Sequence, residues 1–273
     1  MKARRAAGEL ALAALALALA GAVFFPVFYV FMAAFMTIGE FSAYPRPLIP
    51  QSFGNLDNFR AVFAQAPMAR YMLNSLIVAA VGSAVRLLLA AMAAYAVAFH
   101  EFRGRGFVFF MVLGTMMLPG DTLLLANFIT VSRLGLMDTY LGIMAANFVS
   151  GVHFFMLRQV FKGSPRELRD ASLIDGCGSV GFLRRVLLPT NKPVLYALYV
   201  QSFVSLWNMY LWPLLVTNRT EMRTVQVGLA MLTSVDGTNY DVVMAGIASI
   251  LLPSVAIFAL LRRGMARGMV ARL

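Results

Sequence analysis

Residues 163–193 have the sequence GSPRELRDASLIDGCGSVGFLRRVLLPTNKP, a charged segment with a long apolar run on either side. Its charged side chains are Arg166, Glu167, Arg169, Asp170, Asp175, Arg184, Arg185 and Lys192. Because charged side chains are costly in the hydrocarbon of a bilayer, this segment cannot lie in lipid. It therefore separates one apolar part of the chain from another.

The local pattern of this segment predicts two short helices joined by a tight turn. Ser164 is placed to cap a helix, with Pro165 at its first position and Glu167 at the spacing of a capping box. The helix is expected to end at Asp175-Gly176, because Gly readily adopts the left-handed conformation. A second helix is predicted over about 179–187, ending before the proline that follows.

Composition indicates an all-α integral membrane protein. The chain has 273 residues, of which 60% are hydrophobic and 13% charged, whereas a soluble domain has about 25% charged residues. The net charge of +11 is attributed to basic loops facing the cytoplasm, and no nucleic-acid partner is expected. One cysteine, Cys177, excludes an internal disulfide, and two histidines are too few to predict a metal site.

Hydropathy predicts six transmembrane helices within a single transmembrane domain, residues 1–273. The first apolar run is much longer than the 7–15 residues typical of a signal peptide, so a retained helix is expected. The third span is expected to be broken near Pro119, and residues 39–70 and 218–241 are expected to form external loops. The predicted spans are about 10–36, 72–99, 107–128, 139–161, 194–216 and 242–261.

The distribution of basic residues predicts the orientation. An even number of crossings places both termini on one side of the membrane. With the charged segment on the same side as the termini, that side carries sixteen Lys and Arg residues and the other side six, with Arg86 inside a span. Since positive charge is enriched on the cytoplasmic side, both termini and the charged segment are predicted to be cytoplasmic.

The charged segment also contains a longer motif. It resembles the coupling loop of ABC importer permeases, in which Glu-Ala-Ala is followed by Asp-Gly-Ala and then by Phe and Pro. This chain replaces Glu by Asp and two alanines by Ser and Cys, and it keeps every spacing. An ordinary amphipathic cytoplasmic hairpin is the alternative interpretation. The matching positions are Asp170, Ala171, Ser172, Asp175, Gly176, Cys177, Phe182 and Pro189.

A second motif extends the resemblance over most of the chain from about residue 74. Residues 207–213, WNMYLWP, are similar to the W-N-x-[YF]-x-W-P element of the carbohydrate and glycerol-phosphate branch of these permeases. Leu118-Pro119 and residues 134–136 and 224–229 are similar to the same branch.

The resemblance implies the type I ABC importer permease fold, with six transmembrane helices and a cytoplasmic coupling loop at 163–193. It implies a multi-pass permease of the bacterial cytoplasmic membrane that imports a sugar or glycerol-phosphate-type solute by alternating access. Its partners would be a second permease subunit in a heterodimer, a dimer of ATP-binding subunits, a periplasmic or extracellular solute-binding protein, and membrane lipid. The sequence has no G-x-x-x-x-G-K-[ST] motif, so the chain is not expected to be an enzyme or to hold a cofactor. ATP and Mg²⁺ would be bound by the separate ATPase.

The resemblance also assigns residues to coupling with the ATPase. Asp170 would pair with a basic residue of the ATPase, Ala171 and Ser172 would permit close packing, and Gly176 would form the turn. Phe182 would anchor the second helix on the core of the loop itself, and Asp175 would either cap that helix or contact the partner. The assigned residues are Glu167, Asp170, Ala171, Ser172, Asp175, Gly176 and Phe182.

Polar residues within the spans are candidates for the solute pathway, because such residues are costly in a membrane. Arg86 is suited to a phosphate group through its planar fork; alternatively, it pairs with a carboxylate of a partner subunit or reaches the cytoplasmic surface. The candidates on the fifth span offer amides and aromatic rings that suit a sugar, although its aromatic residues also fit an interfacial belt. They are Gln201, Ser205, Trp207, Asn208 and Tyr210. Asn127 and Asn147 could serve a ligand or the backbone of a broken helix.

Three other functions agree less well with the sequence. A secondary transporter or channel would need charged residues in relay positions across several spans, and Arg86 with Asp121 is a poor relay. A membrane scaffold that recruits a cytosolic protein would leave the polar content of the second and fifth spans without a role. An ATP-driven exporter disagrees with a coupling-loop pattern that resembles importers.

Overall fold

This computed structural model describes residues 2–232 and 240–270, with the side chains of residues 8–120, 122–165, 167–232 and 240–260. All regular elements in these ranges are helical, which agrees with the predicted all-α class. Part of the predicted external loop 218–241 and the C-terminal Arg272 lie outside the described residues. The helices are α1 (Lys2–Ala33), α2 (Ile38–Ser42), α3 (Asp57–Gln65), α4 (Met68–Phe99), α5 (Arg105–Thr115), α6 (Leu124–Arg133), α7 (Tyr140–Ala145), α8 (Gly151–Lys162), α9 (Arg166–Ile174), α10 (Ser179–Phe182), α11 (Leu188–Thr190), α12 (Lys192–Trp207), α13 (Leu211–Val216), α14 (Val225–Leu232) and α15 (Tyr240–Val270).

Three helices of the described chain are long and apolar enough to cross a membrane on their own. They are Gly8–Ala33 within α1, the whole of α4, and Tyr240–Leu260 within α15. The other three predicted spans are each two shorter helices with an interruption between them, which sequence reasoning expected for only one of them. These pairs are α5 with α6, α7 with α8, and α12 with α13.

The chain forms two compact units, and α14 and α15 contribute residues to both. The first unit comprises Met1–Met68 and Gly228–Leu252. In it, the end of α1 is closed by Asn58, whose side-chain amide donates to the carbonyl oxygens of Ala34 at 3.1 Å and Met36 at 2.7 Å. Asn58 is 6% exposed. One buried side chain therefore satisfies two carbonyl groups of the short segment that follows α1.

A capping box in the first unit fixes the segment after α1. Thr37 caps α2, and Glu40 accepts hydrogen bonds from the Thr37 N–H at 2.8 Å and the Thr37 hydroxyl at 2.9 Å. The Gln51 N–H donates to the same carboxylate at 2.6 Å. These donors, the Thr37 N–H foremost, lower the pKa of Glu40 from its ordinary value. The carboxylate thus connects α2 with the loop that leads to α3.

The second unit comprises Ala69–Val227 and Pro253–Leu273, and its described side chains include two apolar clusters. The first cluster joins α4, α8 and α12 through buried residues such as Ala94, Leu157 and Leu198. The second cluster joins α4, α6, α7 and α13 through Val78, Ile143 and others. Along α4 the two clusters are separated by a buried polar position, Arg86.

Asn74 of α4 fastens the segment after α13 to the second unit. Its side chain is fully buried and donates to the carbonyl oxygens of Glu221 at 2.7 Å and Arg223 at 2.9 Å. Its own oxygen accepts from the Tyr140 hydroxyl at 2.7 Å. Asp138 contributes further hydrogen bonds, because its carboxylate accepts from the N–H groups of residues 218 and 219. The loop after α13 is thereby held against α4 and α7.

Candidate functional site

The first candidate region is the charged segment, residues 163–193, which forms two helices with a turn at Gly176. Gly176 has a φ of 71°, as the sequence predicted for the end of α9. The predicted capping box is wrong: Pro165 precedes the helix without a side-chain cap, and the Ser164 hydroxyl donates instead to the Val160 carbonyl at 3.4 Å. Asp175 lies at the end of α9, and Gly178 precedes α10, so Asp175 does not cap the second helix.

The second helix does not end before Pro189, which corrects the sequence prediction. From α10 the chain continues as a π-helical turn, Leu183–Leu187, and then as α11, which contains Pro189. A proline has no N–H to donate to the carbonyl four residues earlier. The wider π-helical turn before Pro189 accommodates this missing hydrogen bond. The helix ends at Asn191, whose side chain donates to the Leu187 carbonyl at 2.9 Å.

Two residues attach the charged segment to the end of α4. Phe182 is 2% exposed, and its ring lies 5.4 Å from that of Phe99 and 6.2 Å from that of Tyr95. Phe182 therefore packs on α4, in a cluster that also contains Leu187 of the loop. The sequence predicted packing within the loop and did not predict the contact with α4. Arg169 donates to the Phe99 carbonyl at 3.0 Å, and its guanidinium lies over the Phe99 ring.

The remaining face of α9 is exposed and carries both charge and apolar surface. Glu167, Asp170 and Ala171 are exposed, while Ser172 is buried at 5% exposure and donates to the Arg169 carbonyl. Leu173 is 59% exposed and the residue after it 86%. Next to this face is a pocket of about 630 Å³ whose charged lining is Glu101, Arg105, Lys162, Arg169 and Asp170. The face has the mixed chemistry of a protein-binding surface.

The second candidate region is a groove of about 510 Å³ at the interruptions of the three helix pairs. The segment between α5 and α6 provides Gly120, the segment between α7 and α8 provides Asn147, and the segment between α12 and α13 provides Tyr210. The lining residues are Gly120, Leu123, Leu124, Asn127, Ala146, Asn147, Met209, Tyr210, Leu211 and Trp212.

Arg86 lies beside this groove but is not part of its lining. It is 7% exposed, and its Nε donates to the Asn147 carbonyl at 2.6 Å. Its Nη2 lies 3.4 Å from the Asn147 amide oxygen, and its Nη1 donates to the Ser202 hydroxyl at 3.2 Å. No carboxylate among the described side chains forms a salt bridge with Arg86. The hydrogen-bond donors of its guanidinium are therefore engaged by Asn147, in the break between α7 and α8, and by Ser202.

The predicted solute residues of α12 and the segment after it are divided between two faces. Gln201, Ser205 and Asn208 are exposed and lie at helical spacing on one side, with the Asn208 oxygen accepting from Gln226 at 3.1 Å. Trp207 is 1% exposed and stacks on a neighbouring phenylalanine ring, so it forms no accessible platform. Of the predicted solute residues, Tyr210 alone lines the groove, at 38% exposure.

Sequence reasoning noted Asn127 and Asn147 without selecting them, and it missed Met209. The sequence signal for Asn147 was its position shortly before Ser150. Ser150 caps α8, because its side chain accepts a hydrogen bond from the His153 N–H. In the described part of the chain, no group of three or more His, Cys, Asp or Glu residues is arranged to hold a metal ion.

Comparison with known proteins gives membrane components of transport systems, both for the protein family and for the individual relatives. The family described as "Binding-protein-dependent transport system inner membrane component" matches residues 86–270. The sn-glycerol-3-phosphate transport system permease protein UgpE of Brucella melitensis is 34% identical over 259 residues, covering 91% of each chain. The arabinooligosaccharides transport system permease protein AraQ of Halalkalibacterium halodurans is 35% identical over 209 residues, covering 76% of this chain and 75% of AraQ.

A solved structure has the same fold. It is the crystal structure of a bacterial ABC transporter involved in the import of the acidic polysaccharide alginate. One of its chains superposes with a TM-score of 0.84 over 96% of this chain and 98% of its own length, at 19% sequence identity.

Proposed function

Because this chain belongs to the binding-protein-dependent transport system inner membrane components, the permease subunits of ABC importers, we propose that it couples a separate ATPase to solute import through α9 and Gly176. The chain is a permease for sugar or glycerol-phosphate import and not an enzyme. ATP and Mg²⁺ are proposed to bind to the ATPase. The alternatives of an ATP-independent transporter and a scaffold are set aside by the family match.

Six membrane crossings are part of this proposal. The helices α1, α4 and α15 supply three, and the pairs α5/α6, α7/α8 and α12/α13 supply the other three. A single helix needs about 20 residues to cross the hydrocarbon core, whereas α5, α8 and α12 have 11, 12 and 16 residues. Each therefore requires its partner helix to complete a crossing.

The orientation is proposed from charge. With six crossings, both termini and the charged segment share a side, and the excess of Lys and Arg on that side favours the cytoplasm. The residues at 39–70 and 218–241 then face outward, where a solute-binding protein docks. A second permease subunit is proposed to complete the transport pathway as a heterodimer.

The observation that carries the coupling role is the contrast between the attached and the exposed residues of the charged segment. Arg169 and Phe182 attach the charged segment firmly to α4, while Asp170 and Leu173 remain exposed on a segment too polar for lipid. An ATPase that moves this face would transmit its motion directly to α4. Rigid-body movement of packed helices is an established way of alternating the access to a site.

The solute is proposed to be an oligosaccharide or a glycerol phosphate, the solutes in the names of the two relatives. Radiolabelled arabinotriose and sn-glycerol 3-phosphate, each presented with the cognate solute-binding protein, would distinguish them in proteoliposomes. Uptake of either that depends on ATP supports the proposal, and uptake of neither contradicts it.

Co-purification tests the coupling face. The chain is expressed with its neighbouring gene products, and the ATPase that co-purifies in detergent is quantified. Gly176→Arg is expected to lose the ATPase, because it introduces a large side chain at a left-handed residue within the face. Gly106→Arg, which adds the same charge at an open and exposed position of α5, is expected to retain it. Equal retention by both variants would show that α9 is not the coupling face.

A further inference from the structure

A half-buried arginine of α8, Arg158, carries a charge that no described carboxylate neutralises. Its guanidinium stacks on the ring of Phe109 in α5, with Cζ 3.8 Å from the ring centroid. Its Nε is buried and has no hydrogen-bond partner among the described residues, and none of their carboxylates forms a salt bridge with it. Buried polar groups are nearly always hydrogen-bonded. The guanidinium of Arg158 therefore lacks an acceptor.

Three further basic residues surround this position. Lys162 follows Arg158 by one turn of α8, and Arg105 precedes Phe109 by one turn of α5, so each pair shares a helix face. Arg105 is close enough to Arg158 for the two positive charges to repel each other. Together with Arg169 of α9, Arg105 and Lys162 line the pocket of about 630 Å³ at the ends of these helices. Four cations gathered in this way favour a bound anion.

The pocket also contains negative charge. Its lining includes the carboxylates of Glu101 and Asp170, which are exposed and form no salt bridge with a described basic residue. A simple anion would be repelled by these two groups. A ligand that carries both a phosphate and an ammonium group complements the basic and the acidic side chains together.

The position of the pocket favours a lipid over a soluble compound. In the orientation proposed above, Lys162 lies at the cytoplasmic end of α8, and Arg158 lies about 6 Å deeper at 1.5 Å per residue. Beyond the first turn of α5, Phe107, Phe110 and Met111 are 69%, 70% and 57% exposed. Basic pockets between transmembrane helices on this side bind phospholipid headgroups, and acyl chains can cover the apolar surface next to them.

We propose that this pocket binds the headgroup of a zwitterionic phospholipid with a primary ammonium group. The phosphate accepts hydrogen bonds from Arg105, Arg158 and Lys162, since guanidinium groups bind phosphate oxygens through parallel N–H groups. The ammonium group donates to Glu101 and Asp170. Because α9 supplies part of the lining, the bound lipid connects the charged segment with α5 and α8. The inference rests on the proposed orientation and adds a ligand to the proposed import function.

Photocrosslinking tests the site. The complete transporter in detergent is mixed with phosphatidylethanolamine that carries a diazirine on an acyl chain, and the lipid crosslinked to α5 is quantified by mass spectrometry of its peptides. Arg158→Gln and Lys162→Gln are each expected to lower the affinity for this lipid roughly fivefold, the effect of one basic residue at an anionic group of the membrane surface. Lys162 is exposed, so its substitution leaves the packing of α8 intact.

Arg103→Gln is the matched control, because Arg103 is an exposed cation of the turn before α5 that does not line the pocket. It is expected to leave the affinity unchanged. Unchanged affinity in Arg158→Gln and Lys162→Gln would overturn the site. Equal weakening in all three variants would also overturn it, because general attraction to positive charge would then explain the binding.

Competition by unlabelled compounds tests the headgroup. Phosphatidylethanolamine is expected to displace the probe at a lower concentration than phosphatidylglycerol, which has no ammonium group, or phosphatidylcholine, whose ammonium has no N–H to donate. Glu101→Gln is expected to reduce the preference over phosphatidylglycerol. Stronger displacement by phosphatidylglycerol in the unmodified complex would overturn the role of the carboxylates. Soluble sn-glycero-3-phosphoethanolamine that competes as well as the lipid would overturn the membrane as the source of the ligand.

The ATPase is the other possible occupant, because the pocket borders the exposed face of α9. Crosslinking is therefore compared in the complete transporter and in permease subunits washed free of the ATPase, and equal yields are expected. Crosslinking that appears only after the ATPase is removed would assign the pocket to the ATPase and overturn the lipid site. If the transporter takes up neither arabinotriose nor sn-glycerol 3-phosphate, the proposed function fails, while the crosslinking yields still decide whether the lipid binds.

Discussion

At the scale of single residues, long polar side chains repeatedly satisfy backbone carbonyl groups where helices end. Asn58 does so at the end of α1, Asn74 on the segment after α13, Arg86 at the break before α8, Arg169 at the end of α4, and Trp212 at α7. Carbonyl groups buried without a partner are costly, both inside a protein and in a membrane. These side chains therefore determine where a helix can be interrupted.

The amide of Asn74 is predicted to contribute strongly to stability. Asn74→Ala removes two hydrogen bonds to carbonyl groups and one from Tyr140 in a fully buried position. We expect a loss of about 2–3 kcal/mol, since buried polar groups would be left without partners. Thermal unfolding of the purified complex measures it. Arg70→Ala, which removes only a 3.4 Å contact to the same segment, should have little effect, and equal effects would contradict the assignment.

Gly176 is predicted to be required for its backbone conformation and not for space. No atom lies within 4 Å of a Cβ built at Gly176, but its φ of 71° is unfavourable for other residues by about 1–2 kcal/mol. Gly176→Ala should therefore weaken ATPase binding by up to roughly 5- to 30-fold, because the free loop can relax to another conformation that binding has to reverse. Titration of the ATPase onto the permease measures this change. Gly176→Asn should bind better than the alanine variant, because Asn tolerates this conformation, and equal binding would refute the conformational explanation.

At the scale of elements, sequence reasoning predicted the turn at Gly176 and the apolar helices, because both depend on local composition. It did not predict that the π-helical turn carries the chain through Pro189, or that the fourth and fifth spans are interrupted. The interruptions depend on tertiary partners: Arg86 and Trp212 bond to the backbone of α7 or of the segment after it. No local pattern specifies such partners, which lie far away in sequence.

The start of α7 is predicted to tolerate no side chain at Gly142. A Cβ there would clash with the Leu136 carbonyl oxygen, and the Gly142 carbonyl also accepts from Trp212. Gly142→Ala should therefore destabilise the protein by about 1–3 kcal/mol, as overpacking does. The midpoint of thermal unfolding measures the effect. Gly114→Ala within α5, where the added Cβ meets open space, should be neutral or mildly stabilising.

The segment after α1 is predicted to open at acid pH. The pKa of Glu40 is lowered, chiefly by the Thr37 N–H and then by the Gln51 N–H. A carboxylate with a lowered pKa in the folded state contributes stability above its unfolded pKa, ordinarily 4.5, and loses that contribution as the pH falls through the lowered value. Proteolysis of residues 43–56 should therefore be faster at a pH well below 4.5 than at neutral pH. Glu40→Gln should be cleaved equally at both pH values, and a pH response in that variant would assign the opening to another group.

At the scale of the whole molecule, the proposed orientation gives two accessible positions on opposite sides. Tyr44 is fully exposed in the segment proposed to face outward, and Cys177 is half-buried in the segment proposed to face the cytoplasm. In vesicles washed free of the ATPase, an impermeant thiol reagent should label Tyr44→Cys only in right-side-out vesicles. It should label Cys177 only in inside-out vesicles. The reverse pattern would invert the topology.

The three interruptions also bear on how such a permease can change its solute in evolution. Insertion or deletion of one residue in a continuous helix rotates everything beyond it by about 100°, which would turn lipid-facing side chains inward. Between α7 and α8 or between α12 and α13, the backbone is already irregular. A residue inserted or deleted there need not rotate the helix that follows. Homologous permeases for different solutes should therefore vary in length mainly at these joints, while the helices on either side keep a constant length.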